Sequence, residues 1–308
     1  MIIVGNIHNP RWPVTFLDSL RSTGAQVVAY MHDCHFATGR CAYAGPCKMY
    51  QSGCNETCPT ALQYPALPPE LIHDAWLDRR RIFGKSGIPL AVNSHWTKRF
   101  TLEAIPDARV DVVHYGLDTD LFSTGDKAEA RRRLGIPQDR VVILSGAVNL
   151  QDARKGGVHL QALFQRLGRQ AHGVVLGANS DAIAGAQAIG LTLGQRKVRL
   201  LYRAADIFVN TSLEEAFGQM MLEAAACGLP IVAFNIGGVT DICRDGVNAL
   251  LVPAGDTDQL VKATESLVRD QAMRERFGNE GRKIAVENFS LARQAENWTR
   301  YLKDLAKS

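Results

Sequence analysis

Short apolar runs alternate with longer amphipathic stretches along most of the chain, and this alternation limits the fold more than any other feature of the sequence. The short runs are β-branched and closed by polar residues, Gly or Pro, as buried strands are. Strands that alternate with helices favour a parallel sheet covered by helices on both faces. Because the alternation breaks once and then resumes, the sequence predicts two such sheets.

The break lies near residues 116–128, where Gly, Asp, Ser and Thr are frequent, as in a linker. We therefore predict domains at 1–118 and 119–285, followed by a C-terminal helix within 286–308. The predicted strands are residues 2–4, 27–30, 89–92, 110–114, 141–144, 173–176, 207–210, 231–234 and 249–252. The predicted helices are residues 12–22, 75–83, 97–104, 156–167, 218–227, 256–269, 271–287 and 291–305.

The charge balance argues against nucleic-acid binding. Lys and Arg number 35 against 31 Asp and Glu, whereas a nucleic-acid-binding domain carries a stronger and clustered basic excess. Arginine runs at 79–81 and 131–133 fit solvated helix faces, with attraction to anionic lipid as the alternative. The sequence shows neither a secretory signal nor an apolar run long enough to span a bilayer. We expect a cytoplasmic protein, with peripheral contact to the inner face of the membrane as an option.

Residues 34–70 depart from the alternation and hold five of the seven cysteines. Cys41, Cys47, Cys54 and Cys58 are separated by five, six and three residues. Only the last pair has the short gap that is usual in zinc sites. A reducing compartment disfavours lasting disulfides. Free thiols, a structural zinc ion and disulfides therefore stay open as interpretations of this Cys-rich loop.

The segment 205–230 holds the clearest candidate site. It combines a strand, a polar loop, and a helix that begins after Gly218 and ends at Gly228. Ligands of open parallel sheets bind beyond the carboxyl ends of the strands, where this loop lies. The backbone N–H groups of Phe217, Gly218 and Gln219 would face an anion such as a diphosphate.

Two carboxylates flank the start of this helix. Glu215 precedes it, and Glu223 lies about one and a half turns inside it. Each carboxylate can accept two hydroxyl hydrogen bonds, which suits sugar and ribose hydroxyls on either side of a phosphate. The alternative interpretation makes Glu215 a partner of the helix dipole and Glu223 a solvated helix residue.

The string AADIFVNTSLEEAFGQMMLEAAACGLPIVAF, with Gly237-Gly238 and DGVNALLVPAGD after it, resembles the Glu–seven residues–Glu motif of retaining nucleotide-sugar glycosyltransferases, in particular glycosyltransferase family 4. The resemblance implies the GT-B fold, an α/β architecture of two Rossmann-like parallel-sheet domains. It also implies a retaining hexosyltransferase that uses a UDP- or GDP-sugar and a saccharide or lipid-linked acceptor. We expect no metal in catalysis.

The resemblance also implies roles for single residues. Arg154 and Lys155 match the basic element that contacts the donor diphosphate. Glu215 would bind the donor sugar and Glu223 the ribose. The chain departs from the family pattern after the first strand of the second domain, where Ala147 occupies the place of a common Arg.

The first half resembles the same family less completely. His32-Asp33 matches its inter-domain histidine motif, which implies a catalytic or orienting role for His32. The string HDCHFATGRCAYAGPCKMYQSGCNETCP resembles a cysteine-bearing subgroup associated with polysaccharide assembly. Compared with a typical domain, we expect about 70–100 residues to be missing from the start of the first domain, which leaves that domain incomplete.

Two other functions stay open at this point. A truncated, non-catalytic protein would bind a nucleotide sugar without transferring it, because the second half carries the donor motifs. A GT-B nucleotide-sugar epimerase would act on its donor without an acceptor. The long Glu–seven residues–Glu string disfavours the epimerase.

Overall fold

The computed structural model describes residues 1–85, 87–192 and 194–307, and it confirms two parallel sheets. A four-stranded sheet lies in a first unit, made of Met1–His114 and the chain from Glu296 onward. A six-stranded sheet lies in a second unit, Tyr115–Ala295. The predicted domains were 1–118, 119–285 and 286–308, and the C-terminal helix of the last range has residues in both units.

The first unit has the strand order β1-β2-β3-β4. Its strands are β1 (Ile2–Val4), β2 (Val27–Met31), β3 (Leu90–Val92) and β4 (Val110–Val112). Its helices are α1 (Phe16–Arg21), α2 (Met49–Ser52), α3 (Ile72–Phe83) and α4 (His95–Ala104). The central strands β2 and β3 are buried throughout because their residues are apolar on both faces of the sheet.

The second unit has the strand order β10-β9-β8-β5-β6-β7. Its strands are β5 (Val142–Asn149), β6 (His172–Ala178), β7 (Ala186–Gly190), β8 (Ile207–Asn210), β9 (Ile231–Phe234) and β10 (Ala249–Val252). Its helices are α5 (Lys127–Leu134), α6 (Gly157–Leu167), α7 (Gln195–Ala204), α8 (Gln219–Ala226), α9 (Val239–Ile242), α10 (Thr257–Arg269) and α11 (Gln271–Phe289), and α12 (Leu291–Ala306) follows. The strand order reverses between β5 and β8, which is the point where such sheets bind ligands.

Four elements of this unit were missing from the prediction, namely β7, α5, α7 and the four-residue helix α9. Strand β7 has the sequence AQAIG, is only half-buried, and lacks the β-branched run that marks a buried strand. Helix α5 is rich in Lys and Arg, so few apolar residues give it a detectable period. Helix α7 does carry an amphipathic pattern, with Leu201, Tyr202 and Ala204 buried, and the prediction missed that signal. The predicted Cys-rich loop at 34–70 contains the one-turn helix α2 and short 3₁₀ turns.

The interpretation of the arginine runs as solvated faces was wrong for one residue in each. Arg79 and Arg131 are buried, while Arg81, Arg132 and Arg133 keep exposed side chains. Arg131 donates to Asp206 at 2.6 Å and to the carbonyl oxygen of Ala204 at 2.9 Å. Carbonyl groups and a partly buried carboxylate, which also pairs with Lys127, therefore hold this cation inside the unit.

No helix within residues 1–85, 87–192 and 194–307 combines the length and the apolar composition that crossing a bilayer requires.

Replacing Arg131 with Ala should destabilise the second unit by about 3 kcal/mol, because Asp206 would lose a buried partner and several carbonyl groups would lose their donor. Urea unfolding followed by circular dichroism measures this effect. Tryptophan fluorescence would not suffice, because all four Trp residues lie in the first unit. Arg132→Ala is the matched control and should change the free energy of unfolding by less than about 0.5 kcal/mol. Equal effects of the two substitutions would contradict this account.

Candidate functional site

Two loops meet beyond the carboxyl ends of β5 and β8. The Thr211 hydroxyl donates to the carbonyl oxygen of Lys155 at 2.9 Å, and the Leu213 N–H donates to that of Arg154 at 2.6 Å. Lys155 Nζ then lies 2.9 Å from Glu215 Oε2. The two side chains keep 21% and 17% of their surface exposed, so this ion pair is partly shielded from water.

The loops approach so closely that glycine is required at two positions. A Cβ atom on Gly156 would lie 2.0 Å from the carbonyl oxygen of Thr211, and one on Gly237 would lie 2.0 Å from that of Glu215. Both glycines also have positive φ angles, of +64° and +47°. A larger residue at Gly156 would push the loops after β5 and β8 apart and separate the charges of the pair, and one at Gly237 would displace the loop after β8 from the loop after β9.

Helix α8 begins beside this pair. Gly218 is its N-cap with φ +104°, and the Met221 N–H donates to the Gly218 carbonyl oxygen at 3.0 Å. The Phe217 side chain is buried and packs edge-on against Tyr115 and Phe289. Only the backbone of Phe217 is therefore suited to ligand binding. Glu215 is three residues before Gly218, and the positive end of the α8 dipole favours an anion at this N-terminus.

A cavity of about 580 Å³ lies next to α8 and includes Gln219, Met220 and Glu223 in its lining. Ala147 lines the same cavity, at the position where the family pattern has Arg. Burial raises the pKa of Glu223 to about 7, although the Tyr202 hydroxyl donates to Glu223 Oε2 at 2.8 Å and opposes that rise. The interpretation of Glu223 as a solvated helix residue is therefore wrong.

Arg154 lies beside Lys155 in a short 3₁₀ turn. Its Nε donates to Asp152 Oδ1 at 3.2 Å, which holds the guanidinium on its own loop. The structure thus brings together Arg154, Lys155, Glu215 and the start of α8, with Glu223 farther along the same helix. The binding roles assigned to these residues stay predictions.

His32 lies in the first unit, directly after β2. The Asn93 amide donates to its carbonyl oxygen at 3.0 Å, and its ring contacts that of Tyr30. Burial lowers the pKa of His32, which favours the neutral imidazole. Gly5 leaves room for this ring, since a Cβ there would lie 2.7 Å from His32 Nε2. The role of His32 in catalysis stays a prediction.

The structure shows the seven cysteines as free thiols. No three of the sulfur atoms of Cys41, Cys47, Cys54 and Cys58 lie within 4.8 Å of one another in the part of the chain that the structure describes. Burial raises the pKa of Cys54 to about 11. Burial also acts to raise the pKa of Cys58, but hydrogen bonds from Thr60 and Arg40 outweigh it and lower that pKa. The zinc and disulfide interpretations stay predictions.

Comparison with known proteins places this site in a family context. Residues 126–284 match the family described as glycosyl transferases group 1. The D-inositol 3-phosphate glycosyltransferase of Kribbella flavida is 32% identical over 210 residues, which are 61% of this chain and 48% of that protein. The chain thus spans about half the length of this curated relative.

Two solved structures share the fold. Anabaena Alr3699/HepE in complex with UDP-glucose has a TM-score of 0.74 at 17% identity, with 98% of this chain and 78% of that chain covered. Sucrose-phosphate synthase from Thermosynechococcus elongatus has a TM-score of 0.68 at 17% identity, with 99% of each chain covered. These similarities confirm two parallel-sheet domains of the GT-B kind.

Glu223→Gln should change the pH dependence of stability. The pKa of Glu223 is about 7 in the folded state against 4.5 as its ordinary value, so the ionised form destabilises the folded protein as pH rises between these values. The Gln variant should therefore gain up to about 3 kcal/mol relative to wild type between pH 5 and pH 8. Urea unfolding at both pH values measures the gain. Glu275→Gln, at an exposed position, should show no such gain.

If the thiols are free, iodoacetamide should modify Cys58 first and Cys54 last among the four clustered cysteines, because the thiolate is the reactive form. Peptide mass spectrometry of the native protein measures the order, and buried Cys243 should stay unmodified as a control. Bound zinc would instead protect all four residues and appear in elemental analysis. Disulfides would leave them unmodified until a reductant is added.

Proposed function

Because this chain belongs to the glycosyl transferases group 1 family, we propose that it transfers a hexose from a nucleotide sugar to a saccharide or lipid-linked acceptor with retention at the anomeric carbon. The observation that carries the proposal is the Lys155–Glu215 ion pair beside the start of α8, with Glu223 on the adjoining cavity. This arrangement brings a cation from the loop after β5 beside a carboxylate and a helix N-terminus that follow β8, with a second carboxylate inside that helix.

The donor diphosphate would lie on Lys155, Arg154 and the backbone N–H groups of 217–219. In glycosyl transfer the leaving nucleotide gains negative charge as the bond to the sugar breaks, and the sugar gains oxocarbenium character. Fixed cations and a helix N-terminus stabilise that negative charge without reorganising. The ion pair with Glu215 holds the Lys155 ammonium group in place before the donor arrives.

The two carboxylates would divide the polar groups of the donor between them. Glu215 would accept hydrogen bonds from sugar hydroxyls, and Glu223 would accept them from the ribose. The structure of Anabaena HepE is described as a complex with UDP-glucose, so UDP-glucose is the first donor to test, followed by GDP-sugars.

His32 would orient the sugar or the acceptor. Support for this role is the resemblance of His32-Asp33 to the inter-domain histidine motif and the neutral state that burial favours. The cysteine-bearing string supports a role in cell-surface polysaccharide synthesis. We further propose that the protein acts in the cytoplasm, with peripheral contact to the membrane. If the protein binds a metal ion, that ion would have a structural role and not a catalytic one.

Nucleotide-sugar binding without transfer and epimerisation are the rival functions. Both would use the same donor site, so donor binding alone does not separate them from transfer. The relatives are named glycosyltransferases, and no contact described above favours either rival.

Donor binding is the first test. UDP-glucose should bind the wild-type protein, and Lys155→Ala should weaken binding about tenfold or more at low salt, because a cation that faces the diphosphate is lost. Glu223→Ala should also weaken the binding of UDP, but by a smaller factor than Lys155→Ala does. Isothermal titration calorimetry measures both effects. Lys262→Ala, which removes an exposed cation of the same unit, is the control and should bind like wild type. Absence of binding by every UDP-, GDP- and ADP-sugar would refute the proposal.

Transfer is the second test. Glu215→Ala should lower turnover more than it weakens UDP binding, because Glu215 is assigned to the sugar and not to the nucleotide. Proton NMR of the product should show that its anomeric carbon has the same configuration as that of the donor. An inverted product would refute retention, and isomerised donor in the absence of acceptor would favour the epimerase.

A further inference from the structure

A second cavity, of about 530 Å³, lies within the first unit. It is bordered by residues that follow β1, by the segment 62–67 and by α3. Three arginines line it, namely Arg11, Arg40 and Arg79, together with His8 and His35. None of these five residues was a candidate for the donor site.

Arg79 is a buried cation that no carboxylate pairs within the described residues. Only 5% of its surface is exposed. Its Nε donates to the His35 carbonyl oxygen at 2.8 Å, and Nη1 donates to that of Ala75 at 2.7 Å. Burial lowers the pKa of Arg79 to about 10, so the guanidinium still carries its charge at neutral pH. Neutral acceptors alone hold this charge in place.

Arg40 repeats this arrangement on the same cavity. Its Nη1 donates to the carbonyl oxygens of Gln63 and Pro65, and Nη2 donates to the Thr60 hydroxyl at 2.8 Å. Its Nε is buried and has no hydrogen-bond partner. A second buried guanidinium thus lacks a carboxylate counter-ion among the residues that the structure describes.

The histidines of the cavity do not add positive charge. His35 Nε2 accepts from Arg79 Nη2 at 2.9 Å, so its proton is on Nδ1, which donates to the Arg40 carbonyl oxygen. His8 Nε2 accepts from the Asn6 amide at 3.0 Å. Burial and the charge of Arg79 lower the pKa of both rings. The two histidines are therefore neutral hydrogen-bonding groups.

Carboxylates near the cavity are few and already engaged. Asp78 lines it but lies 3.0 Å from Arg81 on the same helix. Asp33 Oδ2 lies 3.5 Å from His8 Nε2. Neither bonds to the guanidinium of Arg40 or Arg79, so the interior keeps an excess of positive charge. Buried charges of this kind are costly unless an opposite charge joins them.

The geometry points to an oxyanion site: this cavity binds the phosphate or carboxylate group of a small molecule. A planar guanidinium matches both groups, since its parallel N–H bonds reach two oxygens at once. The mouth of the cavity carries the exposed side chains of Trp12, Leu62 and Tyr64, and Leu62 is 85% exposed. These side chains would contact the uncharged body of the molecule. That the occupant is the acceptor rests on the proposed function, whereas the binding itself does not.

Calorimetry with three sugars tests the site in the full chain. Glucose 6-phosphate and glucuronate carry a phosphate and a carboxylate, and glucose carries neither. Both anions should bind at least about tenfold more tightly than glucose, because only they neutralise the guanidinium groups. Equal affinity for all three sugars, or no binding of any, would overturn the inference.

Variants locate the binding. Arg79→Met removes the charge and should weaken both anions about tenfold or more. Ala75→Phe fills the cavity from α3 without removing an arginine and should have the same effect. Leu77→Phe, on the exposed side of α3, and Lys262→Ala, an exposed position in the second unit, should leave anion binding unchanged.

The outcomes separate this inference from the proposed function. Loss of anion binding in Lys155→Ala but not in Arg79→Met would place the site in the second unit and overturn the inference. If Arg79→Met lowers the melting temperature so far that it does not fold, Ala75→Phe decides. UDP-glucose binding by the Ala75→Phe variant should equal that of wild type. Failure of UDP-glucose to bind the wild-type protein would count against the proposed function and would leave the inferred anion site unaffected.

Discussion

The ion pair between Lys155 and Glu215 is the interaction on which the rest of the second unit's site depends. It joins the loop after β5 to the loop after β8, at the point where the strand order reverses. Gly156 allows these two loops to approach, Gly237 allows the loop after β9 to pack against Glu215, and hydrogen bonds from the loop after β8 to the carbonyl oxygens of Arg154 and Lys155 fix the spacing of the pair's loops. A shielded pair costs more to assemble than a surface pair, since water is partly removed from both charges. Its position at the carboxyl edge of the sheet suits a site that needs one cation held in a set position.

The sequence predicted much of this unit because local chemistry and tertiary position agree there. Strands β8, β9 and β10 were predicted at their observed bounds, since each is an apolar run closed by polar residues or Gly. The start of α8 followed from Gly218, and the position of Glu215 followed from the loop before it. What the sequence could not supply is burial. In the sequence Glu223 is one polar residue on a helix, and only the packing of Tyr202 against it reveals a shielded carboxyl group.

Burial also could not be predicted from the sequence in the first unit, and the arginine-lined cavity was therefore missed. Arg40, His35 and Arg79 have no motif that links them, and Arg79 lies within a run of three arginines that resembles a solvated face. Folding places the side chain of Arg79 inside and that of Arg81 outside because residues two apart on a helix point in different directions. Periodicity therefore predicts helix α3, but it does not identify which of the three arginines of this helix is buried.

The titration of Glu223 would give the proposed donor site a further property. A carboxyl group with a pKa of about 7 is partly protonated near neutral pH. Ribose hydroxyls, if they donate to it, favour the ionised form, so an arriving nucleotide would expel a proton and a departing one would recover it. Nucleotide exchange and proton exchange with the solvent would then be one event, and the heat of binding would vary with the ionisation enthalpy of the buffer. A single buried carboxyl group would in this way make the occupancy of the site sensitive to the acidity of its surroundings.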